Sequence, residues 1–134
     1  MHWKRTSVLT LIALAASETA CVSLAGDCSN QIRREVSSPT GKMKAIVFQR
    51  DCGATVGLNK QVSVLPSSSK LPNDGGNVFV ADGGGGNEPS GPFVAVSWTN
   101  DAELLVTYEK QARVFHNESS FGNVRVGYEI LGSP

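Results

Sequence analysis

The sequence predicts an all-β domain, either a small antiparallel sandwich or a curled meander, with about seven strands and one disulfide. Short segments with the alternating apolar and polar residues of strands recur along the chain. The 14 glycines and six prolines supply turns between such segments. No segment has the apolar spacing of an amphipathic helix. A chain of 134 residues is long enough for one domain of this kind.

Charge and composition exclude two classes of protein. The 12 basic side chains equal the 12 acidic ones, so the chain lacks the excess of cations with which nucleic-acid-binding proteins neutralise phosphates. Charged residues make up 18% and hydrophobic residues 40%, which differs from the composition of highly charged disordered chains. We therefore expect a folded domain that does not bind nucleic acid.

The N-terminus has the organisation of a secretory signal peptide. Lys4 and Arg5 precede an apolar run at 8–16. Nine helical residues span about 14 Å, half of a hydrocarbon core of about 30 Å, so the run is too short to cross a bilayer. The sequence therefore predicts export to the periplasm or secretion, with retention in the cytoplasm as the alternative.

The cleavage site determines where the domain starts. Ser23 and Ala25 are small residues at the positions that a signal peptidase reads, which predicts cleavage before Gly26. The chain then consists of a signal peptide at 1–25 and a single β domain at 26–134.

A lipid anchor is the alternative to this cleavage. Cleavage before Cys21 would leave a cysteine that bacterial lipoproteins acylate. Such proteins usually have Leu three residues earlier, where this chain has Glu18. The only membrane attachment that the sequence predicts is therefore lipidation at Cys21.

Two cysteines remain in the domain after cleavage. In an exported chain, Cys28 and Cys52 most simply form one disulfide, which closes a loop of about 25 residues and contributes roughly 3.5 kcal/mol in the chain-entropy model. The alternative makes Cys52 a catalytic thiol with His116 as its base, but an oxidising compartment opposes a free thiol. The disulfide is the prediction.

The first predicted strands flank a tight turn. A strand at 35–38 enters a turn in which Pro39 presets one dihedral angle and Gly41 permits a positive φ. The next strand, at 43–50, is apolar on both faces. Such a strand is typical of the interior of a sheet that is covered on both sides.

The middle of the chain alternates short strands with polar loops. A strand at 61–65 has its two valines facing the core, and a shorter strand follows at 77–81. Segments rich in Ser, Pro, Asn and Gly at 66–77 and 83–92 predict surface loops.

The strongest strand pattern is an antiparallel hairpin formed by 94–98 and 104–108. A last strand follows at 124–131, and the pair Val114-Phe115 predicts the start of an edge strand. We expect Trp98 and Tyr108 to lie in the core rather than to stack on a ligand. The residues predicted to face the core are Val94, Val96, Trp98, Leu104, Val106, Tyr108, Val124, Val126, Tyr128 and Ile130.

No pattern in the sequence predicts a metal or a cofactor. His116 is the single histidine outside the signal, so one chain cannot supply two histidine ligands. The glycine run at 83–86 lacks the Gly-Lys-Ser/Thr of a phosphate-binding loop, and no Gly-x-Ser-x-Gly is present. Oxygen ligands that calcium would accept lie close in sequence, without EF-hand spacing, at Asp74, Asn77, Asp82, Asn87 and Glu88.

Two motifs resemble a family of small exported bacterial proteins of unknown function. They are Ser38-Pro39-Thr40-Gly41-Lys42 and Arg50-Asp51-Cys52-Gly53-Ala54-Thr55. The resemblance covers most of 28–131 and implies a bacterial source and a pairing of Cys28 with Cys52. It implies no activity, because the family has no established one.

The sequence thus predicts a binding or structural module of the bacterial envelope or periplasm, acting on a protein or ligand that it does not name. Two alternatives stay open: a hydrolase whose site is assembled only in the fold, and a small inhibitor or protective partner of another envelope protein. A cleft containing His116 or two close carboxylates would favour the hydrolase. An exposed apolar patch or an open strand edge would favour the partner protein.

Overall fold

A computed structural model of the protein describes residues 28–53, 58–84 and 91–133. These residues contain nine strands and no helix, so the predicted all-β class is confirmed. The predicted signal peptide, with Cys21, lies outside the described residues. The strands are β1 (Ser29–Ser37), β2 (Met43–Asp51), β3 (Asn59–Pro66), β4 (Phe79–Gly83), β5 (Val94–Asn100), β6 (Glu103–Glu109), β7 (Ala112–Asn117), β8 (Ser120–Phe121) and β9 (Val124–Leu131).

The strands form two sheets that pack face to face. One sheet has five strands in the order β1-β2-β3-β4-β7, and the other has four in the order β5-β6-β9-β8. The core between them contains the rings of Phe79, Tyr108 and Tyr128, with centroids 5.3 and 5.8 Å from Phe79. The aliphatic core residues are Ala45, Val47, Val62, Val64, Val78, Ala81, Val96, Leu104, Val106, Val124 and Val126. The inward positions predicted for the hairpin lie in or against this core, whereas Ile130 at the end of β9 is exposed.

The strand predicted to be apolar on both faces is buried on both faces. Ala45 and Val47 of β2 face the other sheet, and Ile46 and Phe48 face away from it, each with at most 3% of its surface exposed. β2 lies between β1 and β3. The turn before it also forms as predicted, with Gly41 at φ 76° and its N–H donating to the Ser38 carbonyl at 2.8 Å.

A loop covers the outer face of the five-stranded sheet. The segment at 67–77, named here the covering loop, places Leu71 against Ile46, Phe48 and Leu65. The sequence predicted a surface loop at this place. The structure adds that it closes a second apolar layer, because the outward side chains of β2 must be removed from water as well.

One strand pairing differs from the predicted antiparallel arrangement. β6 and β9 are parallel, with Leu104 opposite Val126. Parallel neighbours need a long connection. Here the chain leaves β6, crosses to the five-stranded sheet as β7, and returns through β8.

The two edge strands of the five-stranded sheet are longer than the sequence predicted. β1 begins at Ser29 rather than near 35, and β7 is a complete strand rather than a two-residue start. Most residues of β1 are exposed. Because neither face of an edge strand has to be fully buried, the apolar alternation that reveals inner strands is weak there.

Candidate functional site

A groove of about 490 Å³ lies on the outer face of the five-stranded sheet, between β1 and the covering loop. We name it the β1 groove. Its apolar floor and wall are formed by Ile32, Ile46, Leu71 and Pro72. Register explains this floor: Ile32 of β1 lies opposite the buried Phe48 of β2, and thus on the same face of the sheet. Ile32 keeps 53% of its surface exposed, so the groove presents apolar surface to solvent.

The charged part of the groove contains two lysines and one glutamate. Lys44 on β2 and Glu35 on β1 are diagonal neighbours, and Lys44 Nζ lies 3.4 Å from Glu35 Oε1. The Lys44 side chain is 11% exposed, whereas that of Glu35 is 45% exposed. Lys70 lines the groove from the covering loop. Among these lining groups cations outnumber anions by two to one.

A hydrogen-bond network fixes the end of the groove at the start of β1. Arg50 donates from Nη1 to Asn30 Oδ1 at 2.8 Å and to Asn73 Oδ1 at 2.9 Å. Asn30 Nδ2 donates to the carbonyls of Pro72 and Asp74, at 3.0 and 2.9 Å. These bonds join the covering loop to both β1 and β2, so the two walls of the groove keep a fixed separation.

The disulfide closes the same end. Cys28 and Cys52 are bonded, with their Cα atoms 4.1 Å apart, just outside the Ser29–Asp51 pair of the β1–β2 ladder. Cys28 also accepts a hydrogen bond at its carbonyl from Asn73 Nδ2 at 2.8 Å. In this state Cys52 has no free thiol, and the alternative of a thiol nucleophile has no support in the structure.

The covering loop returns to the sheet through Gly76 and Asn77. The N–H of Gly76 donates to Gln61 Oε1 at 2.7 Å. The amide of Asn77 bonds both backbone groups of Val64: Oδ1 accepts from its N–H and Nδ2 donates to its carbonyl, each at 2.8 Å. Asn77 therefore acts as a short extension of the sheet and is not available as the calcium ligand considered from the sequence.

β1 is an edge strand of its sheet beside the groove. Its ladder with β2 has a bulge between Ile32 and Arg34. The bulged residue, Arg33, donates from Nη2 to Gln31 Oε1 at 3.1 Å and to Gln49 Oε1 at 2.6 Å. Trp98 of β5 donates from Nε1 to the Val36 carbonyl at 2.9 Å, which ties the far end of β1 to the other sheet.

The histidine lies away from the groove. His116 is in β7, the opposite edge of the five-stranded sheet, four strand spacings or roughly 19 Å from β1. Its Nε2 is 3.6 Å from Glu118 Oε1. His116 pairs with Val80 in the ladder of β4 and β7.

Two carboxylates outside the groove, Asp82 and Asp101, are engaged separately. Asp82 accepts two hydrogen bonds from Arg113, each 2.8 Å, and these bonds hold the pKa of Asp82 below its usual value. Asp101 accepts a hydrogen bond from the Thr40 N–H at 3.0 Å, which lowers the pKa of Asp101. Within 28–53, 58–84 and 91–133, no three His, Cys, Asp or Glu side chains are grouped as metal ligands.

The two aromatic residues considered as a stacking platform serve the core. Trp98 and Tyr108 are half-buried and pack against the residues between the sheets. Tyr128 also packs against this core and donates to the carbonyls of Val78 and Glu118 at 2.9 and 2.6 Å. Burial raises the pKa of Tyr128 to about 12, so its hydroxyl remains a donor.

Sequence reasoning identified the disulfide but missed the groove residues. Ile32 and Glu35 are in the edge strand whose length was underestimated, and Leu71 is in the predicted surface loop. The sequence did contain a pattern that points to Lys44. The strand at 43–50 is apolar on both faces, so a lysine within it must lie on a covered face. The part of the chain that is described contains no helix long and apolar enough to span a membrane.

The chain matches no protein-family model, no curated protein and no solved structure.

Proposed function

We propose that this protein is an exported binding module of the bacterial envelope or periplasm, and that it holds an extended polypeptide segment in the β1 groove. The observation that carries the proposal is a solvent-open apolar floor between two walls fixed by a disulfide and by the bonds of Arg50. A volume of about 490 Å³ is within the range of ligand sites in proteins. Preorganised walls reduce the ordering cost of binding.

The position of the groove beside an edge strand supports a polypeptide as the ligand. An added strand bonds the free backbone groups of such an edge and directs every second side chain to one face of the sheet. On the outer face, these side chains would reach Ile32 and the covering loop. The bulge and the arginines of β1 oppose indiscriminate pairing, which favours a selective partner.

The groups in the groove support binding over hydrolysis. Glu35, its lining carboxylate, is paired with Lys44, and His116 is at the other edge of the sheet. A hydrolase would require a base beside the bound segment. This arrangement also agrees with the inhibitor or protective-partner alternative, which is a special case of polypeptide binding.

A random heptapeptide library displayed on phage tests the proposal. The oxidised protein is immobilised, and the affinities of enriched peptides are measured for the protein and for two variants. Ile32→Arg places a cation on the floor of the groove, and the matched control Leu131→Arg changes a residue that is equally exposed, at 53%, on β9.

Enriched peptides should bind the unchanged protein and Leu131→Arg equally and should bind Ile32→Arg at least tenfold more weakly. Equal binding to all three proteins, or no enrichment over a bare surface, would contradict a peptide site in the groove.

Export is tested by the intact mass of the protein after expression in a bacterial host. A mass that starts at Gly26, or an acylated chain that starts at Cys21, would support export. The uncleaved mass of residues 1–134 in the cytoplasm would overturn it. Alkylation before and after reduction shows in the same experiment whether Cys28 and Cys52 are bridged.

A further inference from the structure

We propose that the segment held in the β1 groove is acidic, and that one of its carboxylates replaces Glu35 as the partner of Lys44. This inference rests on the proposed function and specifies the chemistry of its ligand. It follows from three observations: the charged groups that line the groove, the burial of Lys44, and the long distance between Lys44 and Glu35.

Lys44 presents a largely desolvated cation at the groove. Its side chain is 11% exposed and extends from β2, which is buried on both faces, so its stem has little freedom to move into solvent. A desolvated ammonium requires an anionic partner. In the free protein that partner is Glu35.

Glu35 is a replaceable partner. Its side chain is 45% exposed, and it belongs to an edge strand. The separation of 3.4 Å from Lys44 Nζ is longer than the 2.7–2.9 Å typical of a close charge-assisted hydrogen bond. An incoming carboxylate that takes the place of Glu35 leaves Lys44 paired, and the half-exposed Glu35 side chain can turn to water.

Charge balance favours an acidic ligand over a neutral or basic one. Lys70 faces the same groove from the covering loop, and the single lining anion, Glu35, leaves one cation in excess. A ligand carboxylate between Lys44 and Lys70 would neutralise this excess, whereas a basic side chain would increase it.

The heptapeptide library also tests this inference, through the composition of the peptides that each protein enriches. Glu35→Gln removes the internal competitor and keeps the size of the side chain. Lys44→Gln removes the cation. Lys110→Gln, in the exposed turn after β6, is the matched control for loss of one positive charge.

The unchanged protein and Lys110→Gln should enrich Asp and Glu about threefold or more over the starting library. Glu35→Gln should bind the best acidic peptide several-fold more tightly, and replacing its key Asp by Asn should cost about tenfold in affinity. Lys44→Gln should bind the Asp and Asn peptides equally.

A second measurement does not depend on folding of the Lys44 variant. In the unchanged protein, affinity for the acidic peptide should fall between about 0.02 and 0.5 M salt, and affinity for its Asn form should stay nearly constant. Enrichment of peptides without excess Asp or Glu would overturn the inference and leave the binding function intact. Tighter binding of acidic peptides to Lys44→Gln would also overturn it. The absence of any enrichment would overturn the function itself.

Discussion

Gly76 is required by space and not by its backbone dihedral angles. A Cβ on this residue would lie 2.8 Å from the Val62 carbonyl oxygen and even closer to that of Phe79. Real Cβ atoms do not approach backbone oxygens so closely. The covering loop can therefore rejoin the sheet only if a glycine occupies this position.

Replacement of Gly76 by Ala should lower the free energy of unfolding by about 2–3 kcal/mol, because backbone on both sides of the new methyl group must move. Urea unfolding measures the change. Gly75→Ala is the control, since its Cβ would meet only Gln61 Oε1 at an ordinary 3.5 Å and should leave stability within about 0.5 kcal/mol. If both variants were equally stable, the covering loop would not rejoin the sheet through the close contacts of Gly76 with the Val62 and Phe79 carbonyls.

The pair formed by Asp82 and Arg113 gives a pH-dependent contribution to stability. Arg113 donates two hydrogen bonds to the carboxylate and lowers the pKa of Asp82, so folding favours its ionised form. The contribution is present above the unfolded pKa of about 3.9 and is lost as the pH falls through the lower pKa of the folded protein.

A double-mutant cycle with Asp82→Asn and Arg113→Gln should give a small favourable coupling free energy near neutral pH. The coupling should decrease below about pH 4, as the carboxylate is protonated. Chemical unfolding of the four proteins at several pH values measures it. A coupling that stays constant into acid, or grows there, would be inconsistent with an ionised Asp82 in the pair.

At the scale of elements, β1 depends on the disulfide more than any inner strand does. It has one neighbouring strand, most of its residues are exposed, and its bulge interrupts the ladder with β2. The bridge closes the end of this hairpin that is opposite the turn at Gly41. An open hairpin end would fray first, and here it is one wall of the groove.

Removal of the disulfide by the double variant Cys28→Ser, Cys52→Ser should cost roughly 3.5 kcal/mol of unfolding free energy. Hydrogen exchange should accelerate most in Ser29–Ser37 and least in the inner strand β6. Unfolding by urea and amide exchange together test this. If hydrogen exchange accelerated equally in both sheets, the disulfide would stabilise the protein only by restricting the unfolded chain and would have no local effect on β1.

Strands with a regular apolar pattern could be predicted from the sequence, whereas the full length of the two edge strands of the five-stranded sheet could not. β2 is apolar on both faces, β3 alternates apolar and polar residues, and the β5–β6 hairpin has alternate apolar side chains facing the core, so local patterns reveal these strands. β1 lacks such a pattern because it is exposed. The parallel pairing of β6 with β9 depends on a partner distant in sequence, which no local pattern specifies. The groove is formed by an edge strand and by a loop that folds back over a sheet, and no local pattern specifies either arrangement.

For the whole molecule, the two outer faces of the sandwich differ in how they meet solvent. The covering loop adds a third layer to the five-stranded sheet and leaves an apolar floor open beside β1. On the four-stranded sheet, the outward residues of β9 include Arg125, which pairs with Glu103, and Gly127. Leu105 and Leu131 lie on the same face, and Leu131 is 53% exposed. The recessed apolar surface beside β1 lies next to Cys28, where the described residues begin.

The bridge between Cys28 and Cys52 also determines how the molecule carries mechanical load. Without it, tension on the chain ahead of Cys28 would peel β1 from β2 one residue pair at a time, beginning at Ser29 and Asp51. The covalent link transmits tension to both strands at once. The two cysteines are separated by 24 residues in sequence, and the link prevents this segment from being extended. In an optical trap, the oxidised protein should unfold to a contour length about 8 nm shorter than the reduced protein, at about 3.4 Å per residue. A protein tethered through its N-terminal segment would thus keep its groove assembled while the tether is under tension.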